Sequence, residues 1–342
     1  MGMFFRENYD RWMATLPNVT TGITINRVEV WVTNKTGTSS NTRDIVAFAD
    51  LGESASFTNP NRGRTTGTSS NPQNAAGGLY SKLTSQYVEA RNVSMTSEVL
   101  ANSGLNYEKI EKARLLSSSE YTVNKSMGYI SLKTQLQTDQ VLAIAYEYTY
   151  NGLTYQVGEF SSDNTDVSSA IFVKSLKNSN NTPSQPNWSL MMRNVYYLAA
   201  SIQKEKFKLD IKYQSDSIGV YVNYIPEPSV KSTPLIKLLG ADRLDANNRV
   251  KSNGYFDFVE GYTVSNGRVF LPKTEPFGSA LAKELNAKGA YKDKYIYQEL
   301  YDTTKTAAKA MAEKNRYKLI GQYKGSAANV ISLGAYNVPQ GS

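Results

Sequence analysis

Residues 120–152 read EYTVNKSMGYISLKTQLQTDQVLAIAYEYTYNG, and this stretch decides the predicted fold. Two short β-prone segments flank a turn at Gly128, and a longer apolar segment follows them. Successive side chains of a β-strand point to opposite faces of the sheet. The longer segment therefore predicts a strand with two faces: Leu142, Ile144, Tyr146, Tyr148 and Tyr150 on one, and Ala143, Ala145, Glu147 and Thr149 on the other.

Similar patterns elsewhere in the chain predict further strands and several helices. β-Branched or alternating residues indicate strands at 20–37, 206–214, 316–324 and 329–338. Apolar residues at helical spacing, or a composition rich in Ala and Lys, indicate helices at 79–90, 107–116, 188–200, 233–240, 279–289 and 303–315. In the second of these helices, Ile110 and Ala113 would lie on the inner side.

Together these elements predict a β-rich α+β fold, in which tandem antiparallel β modules carry packed helices and long polar loops. The first module would span residues 1–165, with a mobile polar loop at 54–78 and helices at 79–116. The second would span residues 166–342, after a polar boundary segment. Segments 121–132 and 262–271 both begin Tyr-Thr-Val, which favours related modules, although two hairpins can also resemble each other by chance.

The composition of the 342-residue chain excludes several kinds of function. The absence of Cys and His excludes Ser-His-Asp and Cys-His catalysis, and zinc sites built from these residues. The net charge is +8, but the 38 basic and 30 acidic residues are interspersed, so no nucleic-acid partner is indicated. No run of apolar residues is long enough to predict a transmembrane helix. No Gly-rich phosphate-binding motif is present.

Residues 244–261, LDANNRVKSNGYFDFVEG, raise the question of a metal site because several oxygen-bearing side chains surround an Asn-Gly pair, among them Asp245, Asn247, Asn253, Asp257 and Glu260. An EF-hand loop needs a ligand at its fifth position and Gly at its sixth. Here those positions are Arg249 and Val250, so the EF-hand pattern fails. A looser cation cage remains an alternative, and it would be built from Asp245, Asn253, Asp257 and Glu260.

The simpler interpretation of this stretch is a turn followed by a strand. Asn253-Gly254 predicts a tight turn, because Gly accepts a positive φ and Asn tolerates it. Residues 255–264 would then form a strand or a pair of strands, with Phe256 and Phe258 buried and Asp257 facing polar groups or solvent. This interpretation predicts no bound metal, no cofactor and no catalytic residue. Arg62 and Arg64 lie in the loop predicted to be mobile, so they do not indicate an anion site.

Several segments, in one consistent order, resemble the SprA/Sov family of giant surface proteins of the type 9 secretion and gliding-motility system. Two of them are YTYNGLTYQVGEFS at 148–161 and GYFDFVEGYTVSNGRVFLPKTEPFG at 254–278. The others lie at 4–37, 188–200, 207–214, 234–248, 297–325 and 331–342. The segments cover most of the chain outside the low-complexity loops. The resemblance is specific because all of the segments occur together and in the same order, whereas any one segment alone would be weak.

The resemblance implies a role in protein export across the outer membrane. Members of the family form a giant β-barrel translocon that works with accessory outer-membrane proteins and a periplasmic plug, and no enzymatic activity belongs to them. They are many times longer than this chain, whose two ends would then be cuts through a longer protein. We therefore expect a fragment that forms a cap, a rim or a lumen-lining region, at the outer membrane or cell surface. Its partners would be the rest of the parent barrel, the accessory and plug proteins, and secreted cargo.

Two other functions compete with this expectation. Tyr-rich strands and Ser-, Thr- and Asn-rich loops are also typical of an adhesin-like surface module that binds glycans or peptides. A carboxylate-based hydrolase would have to use Asp257 and Glu260, and it is the weakest alternative because no acid pair is defined.

Overall fold

The computed structural model describes residues 2–54, 71–101, 106–216, 219–324 and 330–337. Residues 55–70 of the loop predicted to be mobile, with Arg62 and Arg64, therefore lie outside the described residues. The chain divides into two units. Unit 1 comprises Met1–Asn8 and Thr20–Met191, and unit 2 comprises Tyr9–Val19 and Met192–Ser342.

Unit 1 contains eight strands and three α-helices among the described residues. In chain order they are α1 (Met3–Met13, shared with unit 2), β1 (Ile23–Val32), β2 (Thr42–Phe48), α2 (Leu79–Ser85), α3 (Thr96–Leu100), β3 (Tyr107–Leu115), β4 (Tyr121–Asn124), β5 (Tyr129–Leu132), β6 (Leu142–Tyr150), β7 (Leu153–Val157) and β8 (Ile171–Lys177). Short 3₁₀ turns lie at Ala76–Gly78, Val88–Arg91 and Pro186–Leu190.

Five of these strands close into a small barrel. Their order is β1-β3-β2-β8-β6, and β6 pairs again with β1, while β7 extends the sheet beside β6. All pairs are antiparallel except β2 with β8, which is parallel. Because β8 pairs with β2 and β6, unit 1 extends beyond residue 165. The barrel core consists of Trp31, Ile45, Ala47, Ile110, Ala113, Val141, Ala143, Ala145, Phe160, Ile171 and Val173.

Strand β6 is the central element of unit 1, and its predicted faces are confirmed. Ala143 and Ala145 point into the barrel core, where small residues suit the narrow interior. On the other face, the rings of Tyr146 and Tyr148 lie 6.1 and 5.9 Å from the ring of Phe5 in α1. The strand is thus covered on both sides, which explains why its sequence is apolar or aromatic at almost every position.

The helix predicted at 107–116 is wrong, because these residues form β3. The pairing of β3 with β2 shifts register between Arg43 and Ile45, which marks a bulge. Lys112 has a φ of 48° at this point, and its N–H donates to Asp44 Oδ1 at 2.7 Å. The extra residue turns both Ile110 and Ala113 toward the barrel core. Their three-residue spacing therefore comes from a bulged strand and imitates a helical period.

Unit 2 contains two sheets with helices around a shared core. Its elements are β9 (Val195–Tyr197), β10 (Gln203–Gln214), β11 (Tyr221–Val222), α4 (Leu235–Leu238), β12 (Val264–Ser265), β13 (Arg268–Phe270), α5 (Leu281–Ala287), α6 (Glu299–Asp302), α7 (Lys305–Ala310), β14 (Tyr317–Lys324) and β15 (Val330–Asn337). The sheet orders are β11-β10-β14-β15 and β12-β13-β9. The predicted alternation along β10 is confirmed: Leu209, Ile211 and Tyr213 belong to the core.

The helix predicted at 188–200 is wrong as well. Its first residues continue a 3₁₀ turn, Pro186–Leu190, and Val195–Tyr197 form β9. Strand β9 pairs with β13, whose residues lie more than seventy positions later in the chain. A tertiary partner thus takes the backbone hydrogen bonds that a helix would have formed locally. The remaining predicted helices coincide with α2, α4, α5 and α7.

The fold class is confirmed as β-rich α+β. Both Tyr-Thr-Val segments form hairpins, as predicted, but their turns differ. Four residues connect β4 to β5, whereas the two-residue pair Asn266-Gly267 connects β12 to β13. The sheet orders of the two units also differ, so the resemblance of the segments is one of hairpins. Among the described residues, no helix is long and apolar enough to cross a membrane.

Candidate functional site

The acidic stretch that follows α4 forms a loop organised by two buried carboxylates, Asp242 and Asp257. Asp242 is 2% exposed, and its oxygens accept hydrogen bonds from Ser252 Oγ at 2.6 Å and from the N–H groups of Asn253 and Gly254 at 2.8 and 3.0 Å. Asp242 therefore holds the bend at Asn253-Gly254 in place. The φ of Gly254 is 84°, as the Asn-Gly pair predicts.

Asp257 performs a similar role at the other end of the loop. It is 3% exposed and accepts from the N–H groups of Arg243 and Leu244 at 2.9 and 2.8 Å. Its own N–H donates to the carbonyl of Ala241 at 2.9 Å. The prediction that Asp257 faces polar groups is confirmed, and those groups are backbone amides.

Asp245 belongs to a separate small turn. Leu244 and Val250 form an isolated β-bridge, and the side chain of Asp245 accepts from the N–H groups of Asn247 and Arg249 at 2.8 and 3.0 Å. These bonds to the ionised carboxylate lower the pKa of Asp245. Asp245 thus shapes its own turn, and Asn247 and Glu260 are exposed to solvent.

The strand predicted for 255–264 is wrong over most of its length. Residues 256–259 form no ladder, although Glu260 bridges Val264 and β12 begins at Val264. The reason is that the backbone amides find other acceptors: Phe256 N–H donates to the carbonyl of Leu209, and Val259 N–H donates to Thr263 Oγ1 at 2.8 Å. The expected burial of Phe256 and Phe258 is confirmed, and Val259 is buried too.

The proposed cation cage does not assemble as a set of free ligands. The oxygens of Asp245 and Asp257 accept backbone N–H groups, and Asn253 Oδ1 accepts the N–H of Tyr255 at 3.0 Å. In the part of the chain that the structure describes, no group of three acidic side chains could hold a metal ion. The arrangement stabilises a loop, and its carboxylates act as acceptors for backbone donors.

The sequence-based interpretation missed Asp242, which organises the loop together with Asp257. Its only signal is position: it follows Gly240 and Ala241 at the end of a short apolar helix. An Asp at this place is able to accept backbone N–H groups of the next turn. Its target, the Asn253-Gly254 bend, lies more than ten residues later, and that pairing could not be inferred without the fold.

Burial gives the loop a defined pH response. It raises the pKa of Asp257 to about 6, with a further contribution from the nearby Asp242, against the lowering effect of the two N–H donors. A raised pKa means that the folded state holds the proton more tightly than the unfolded state. The contribution of Asp257 to stability is therefore greatest below about pH 4 and falls as the pH rises from about 4 to 6.

We expect Asp257→Asn to reveal this response. Asn resembles the protonated carboxyl and does not titrate, so the stability advantage of the wild type over the variant should shrink between about pH 4 and pH 6. Denaturant unfolding of both proteins across this range measures the difference. A difference that grows with pH would contradict the expected sign. Asp245→Asn removes a carboxylate of lowered pKa and should show the opposite trend, mostly below about pH 4.

Unit 1 holds a second set of buried charges that the sequence-based interpretation also missed. Lys174 is fully buried in β8, and its Nζ lies 2.7 Å from Glu53 Oε1 and donates to the carbonyls of Ala49 and Leu51 at 3.0 and 3.2 Å. The signal was available, because Lys174 is the one charge inside the apolar run Ala170–Val173 and Leu176. Its partner could not be read from the sequence.

Two arginines close loops of the same unit. Arg43 donates to the carbonyls of Asn164 and Ser169 at 2.6 and 3.1 Å, and it also contacts the carbonyl of Asp166. Arg91 forms a two-pronged pair with Glu159, at 2.8 and 2.5 Å. Both guanidinium groups therefore hold chain segments that lack regular secondary structure.

Glu159 also accepts a hydrogen bond from the phenol of Tyr80. Tyr80 Oη donates to Glu159 Oε1 at 2.8 Å, and burial together with this carboxylate raises the pKa of Tyr80 to about 12. Tyr80 therefore stays protonated at neutral pH and acts as a donor.

No family model and no curated protein matches this chain.

Proposed function

We propose that this chain is a structural, non-enzymatic part of an outer-membrane protein-export translocon of the type 9 secretion and gliding-motility system. The proposal rests on the ordered segments that resemble the SprA/Sov family, which include residues 148–161 and 254–278. In the parent protein it would form a cap, a rim or a lumen-lining region at the outer membrane or cell surface.

One structural observation favours a scaffold over an enzyme. Each buried charged side chain of the described residues bonds to groups of its own unit: Arg43, Glu53, Lys174, Glu227, Asp242, Asp257 and Glu275. Active sites usually hold polar groups aimed at a substrate. Here the buried charged side chains form hydrogen bonds that hold loops, or form ion pairs. The absence of His and Cys from the sequence supports the same conclusion.

The partners follow from the proposed role. They are the rest of the parent barrel, the accessory outer-membrane proteins, the periplasmic plug and the secreted cargo. The loops that the buried Arg43 and the half-buried Arg91 hold suit a part that must keep its shape while other proteins pass or dock.

The test removes residues 1–342 in frame from the parent gene of a gliding bacterium. We expect cargo proteins to disappear from the culture fluid and surface spreading to stop. Immunoblotting of outer-membrane fractions shows whether the shortened protein is still present. Normal export and spreading by a strain that makes the shortened protein would contradict the proposal.

A point variant distinguishes loss of this region's role from loss of the whole parent protein. Asp242→Ala frees the donors of Ser252, Asn253 and Gly254 and should disrupt only the loop that it organises. We expect partial loss of export at an unchanged level of the parent protein, whereas Glu260→Ala, an exposed acid of the same stretch, should export normally.

A second candidate function, an adhesin-like module that binds glycans or peptides, has one observation in its favour. Of the unit 2 tyrosines whose exposure the structure describes, three are more than two-fifths exposed: Tyr197, Tyr255 and Tyr291, at 47%, 42% and 44%. Exposed aromatic rings are able to stack on sugars or peptide side chains. A glycan and peptide array with the purified chain tests this, and no binding on either array would reject it.

A further inference from the structure

The outer face of the sheet β11-β10-β14-β15 carries a group of lysines, which we name the lysine face. The register of β10 and β14 places Lys208 opposite Gln322, Asp210 opposite Ile320, and Lys212 opposite Lys318. These side chains share one face because the alternate residues, Leu209, Ile211, Tyr213, Tyr317 and Leu319, are buried in the core. The lysine face therefore comprises Lys208, Asp210, Lys212, Lys318, Ile320 and Gln322.

The pairing of Lys212 with Lys318 is unfavourable within the chain itself. Directly opposed residues of antiparallel strands bring their side chains close together, and like charges in that position destabilise the sheet. Among the described residues, neither lysine forms a salt bridge with a carboxylate. Asp210, on the same face, attracts Lys212 and offsets part of this repulsion. An anion bound between the two lysines would offset more of it.

Two tyrosines border the lysine face. Lys318 Nζ lies 4.1 Å from the ring centre of Tyr221, and Lys208 Nζ lies 4.7 Å from that of Tyr255. Such contacts hold an ammonium group over a ring. Lys208 Nζ also donates to Tyr255 Oη at 3.4 Å, and because an ammonium has three hydrogens, it keeps others for a further acceptor. Tyr221 is half-buried and Tyr255 is 42% exposed, so both rings also offer apolar surface to a partner.

The position of Asp210 favours a polypeptide partner over an anionic membrane or a nucleic acid. It lies on the same face as Lys208 and Lys212, and burial raises its pKa. A uniformly negative surface, such as an anionic membrane or a nucleic acid, would repel this carboxyl group. A polypeptide is able to place acidic side chains against the lysines and a donor or neutral residue against Asp210.

We propose that the lysine face binds an acidic segment of a partner polypeptide. Lys212 and Lys318 bind its carboxylates, and Ile320 with the two tyrosines contacts its apolar atoms. The inference depends on unit 2 alone and holds or fails independently of the translocon role.

The test uses the purified 342-residue chain and a fluorescent peptide of alternating Glu and Thr, at low ionic strength. The double variant Lys212→Gln/Lys318→Gln should bind this peptide about tenfold more weakly than the wild type. The matched control Lys283→Gln/Lys288→Gln changes the net charge equally at two exposed lysines of another surface, and it should bind within about threefold of the wild type. Lys212→Gln alone should give an intermediate affinity.

Thermal unfolding provides an independent readout. Removing the opposed charges should leave the melting temperature of the double variant equal to or above that of the wild type, since a repulsion is lost. Equal weakening by the two double variants would overturn the proposal, as would failure of the peptide to bind. Tight binding to phosphatidylglycerol vesicles without binding to the peptide would also overturn it, because a membrane would then be the partner.

Discussion

Replacing Lys174 with Met is expected to lower the free energy of unfolding by about 3–5 kcal/mol, because the change leaves a charge buried without its partner. Glu53 is 6% exposed, and the ammonium of Lys174 is its salt-bridge partner at 2.7 Å. The carbonyls of Ala49 and Leu51 lose a donor in the same variant. Urea unfolding at neutral pH, followed by circular dichroism, measures the loss.

A double variant separates the missing charge from the missing packing. Lys174→Met/Glu53→Leu removes both charges, so we expect it to be less destabilised than Lys174→Met alone. Lys133→Met changes an exposed lysine of the same unit and should stay within about 0.5 kcal/mol of the wild type. A double variant as unstable as the sum of its single changes would show that the two side chains do not act as a pair.

Replacing Gly267 with Ala is expected to cost about 3–5 kcal/mol, from backbone strain and from a steric clash. Gly267 has a φ of 72°, and a Cβ added there would collide with the backbone carbonyl of Ala199. The close approach is part of the fold, since the carbonyl of Gly267 accepts the N–H of Leu198 at 2.9 Å. Neither backbone segment is able to move without breaking the pairing of β9 with β13.

Gly152 provides a matched control. It follows Asn151 in a two-residue turn between β6 and β7, as Gly267 follows Asn266 between β12 and β13. Its φ is 82°, but no atom lies within 4 Å of the position that a Cβ would take. Gly152→Ala should therefore cost only the strain, about 1–2 kcal/mol. Equal losses for the two variants, measured by urea unfolding, would show that the clash is relieved without cost.

Local sequence patterns correctly predicted the strands and helices that are determined by residues close together in the sequence. The alternation in β6 and β10 revealed strands because each strand has one face in a core. Short helices such as α4 and α5 were visible from apolar residues or helix-forming composition. In each case, the side chains that determine the element lie within a few residues of one another.

The wrong predictions come from contacts that lie far apart in the chain. The bulge at Lys112 depends on Asp44, and β9 exists because β13 pairs with it. The strand expected after Gly254 fails because the amide of Phe256 binds the carbonyl of Leu209. None of these partners can be identified from the local sequence, since a helix or a simple strand satisfies the same pattern.

The sequence by itself determined the β-rich class, the long central strand, the bend at Asn253-Gly254 and the exclusion of His and Cys chemistry, because these depend on composition and on neighbouring residues. Only the tertiary structure decided that five strands close into a barrel and that Asp242 and Asp257 hold one loop. It also decided that Lys174 meets Glu53 and that Lys212 faces Lys318. The physical reason is that the low solvent exposure of a charge, and the register that sets two charges side by side, arise only when distant segments pack together.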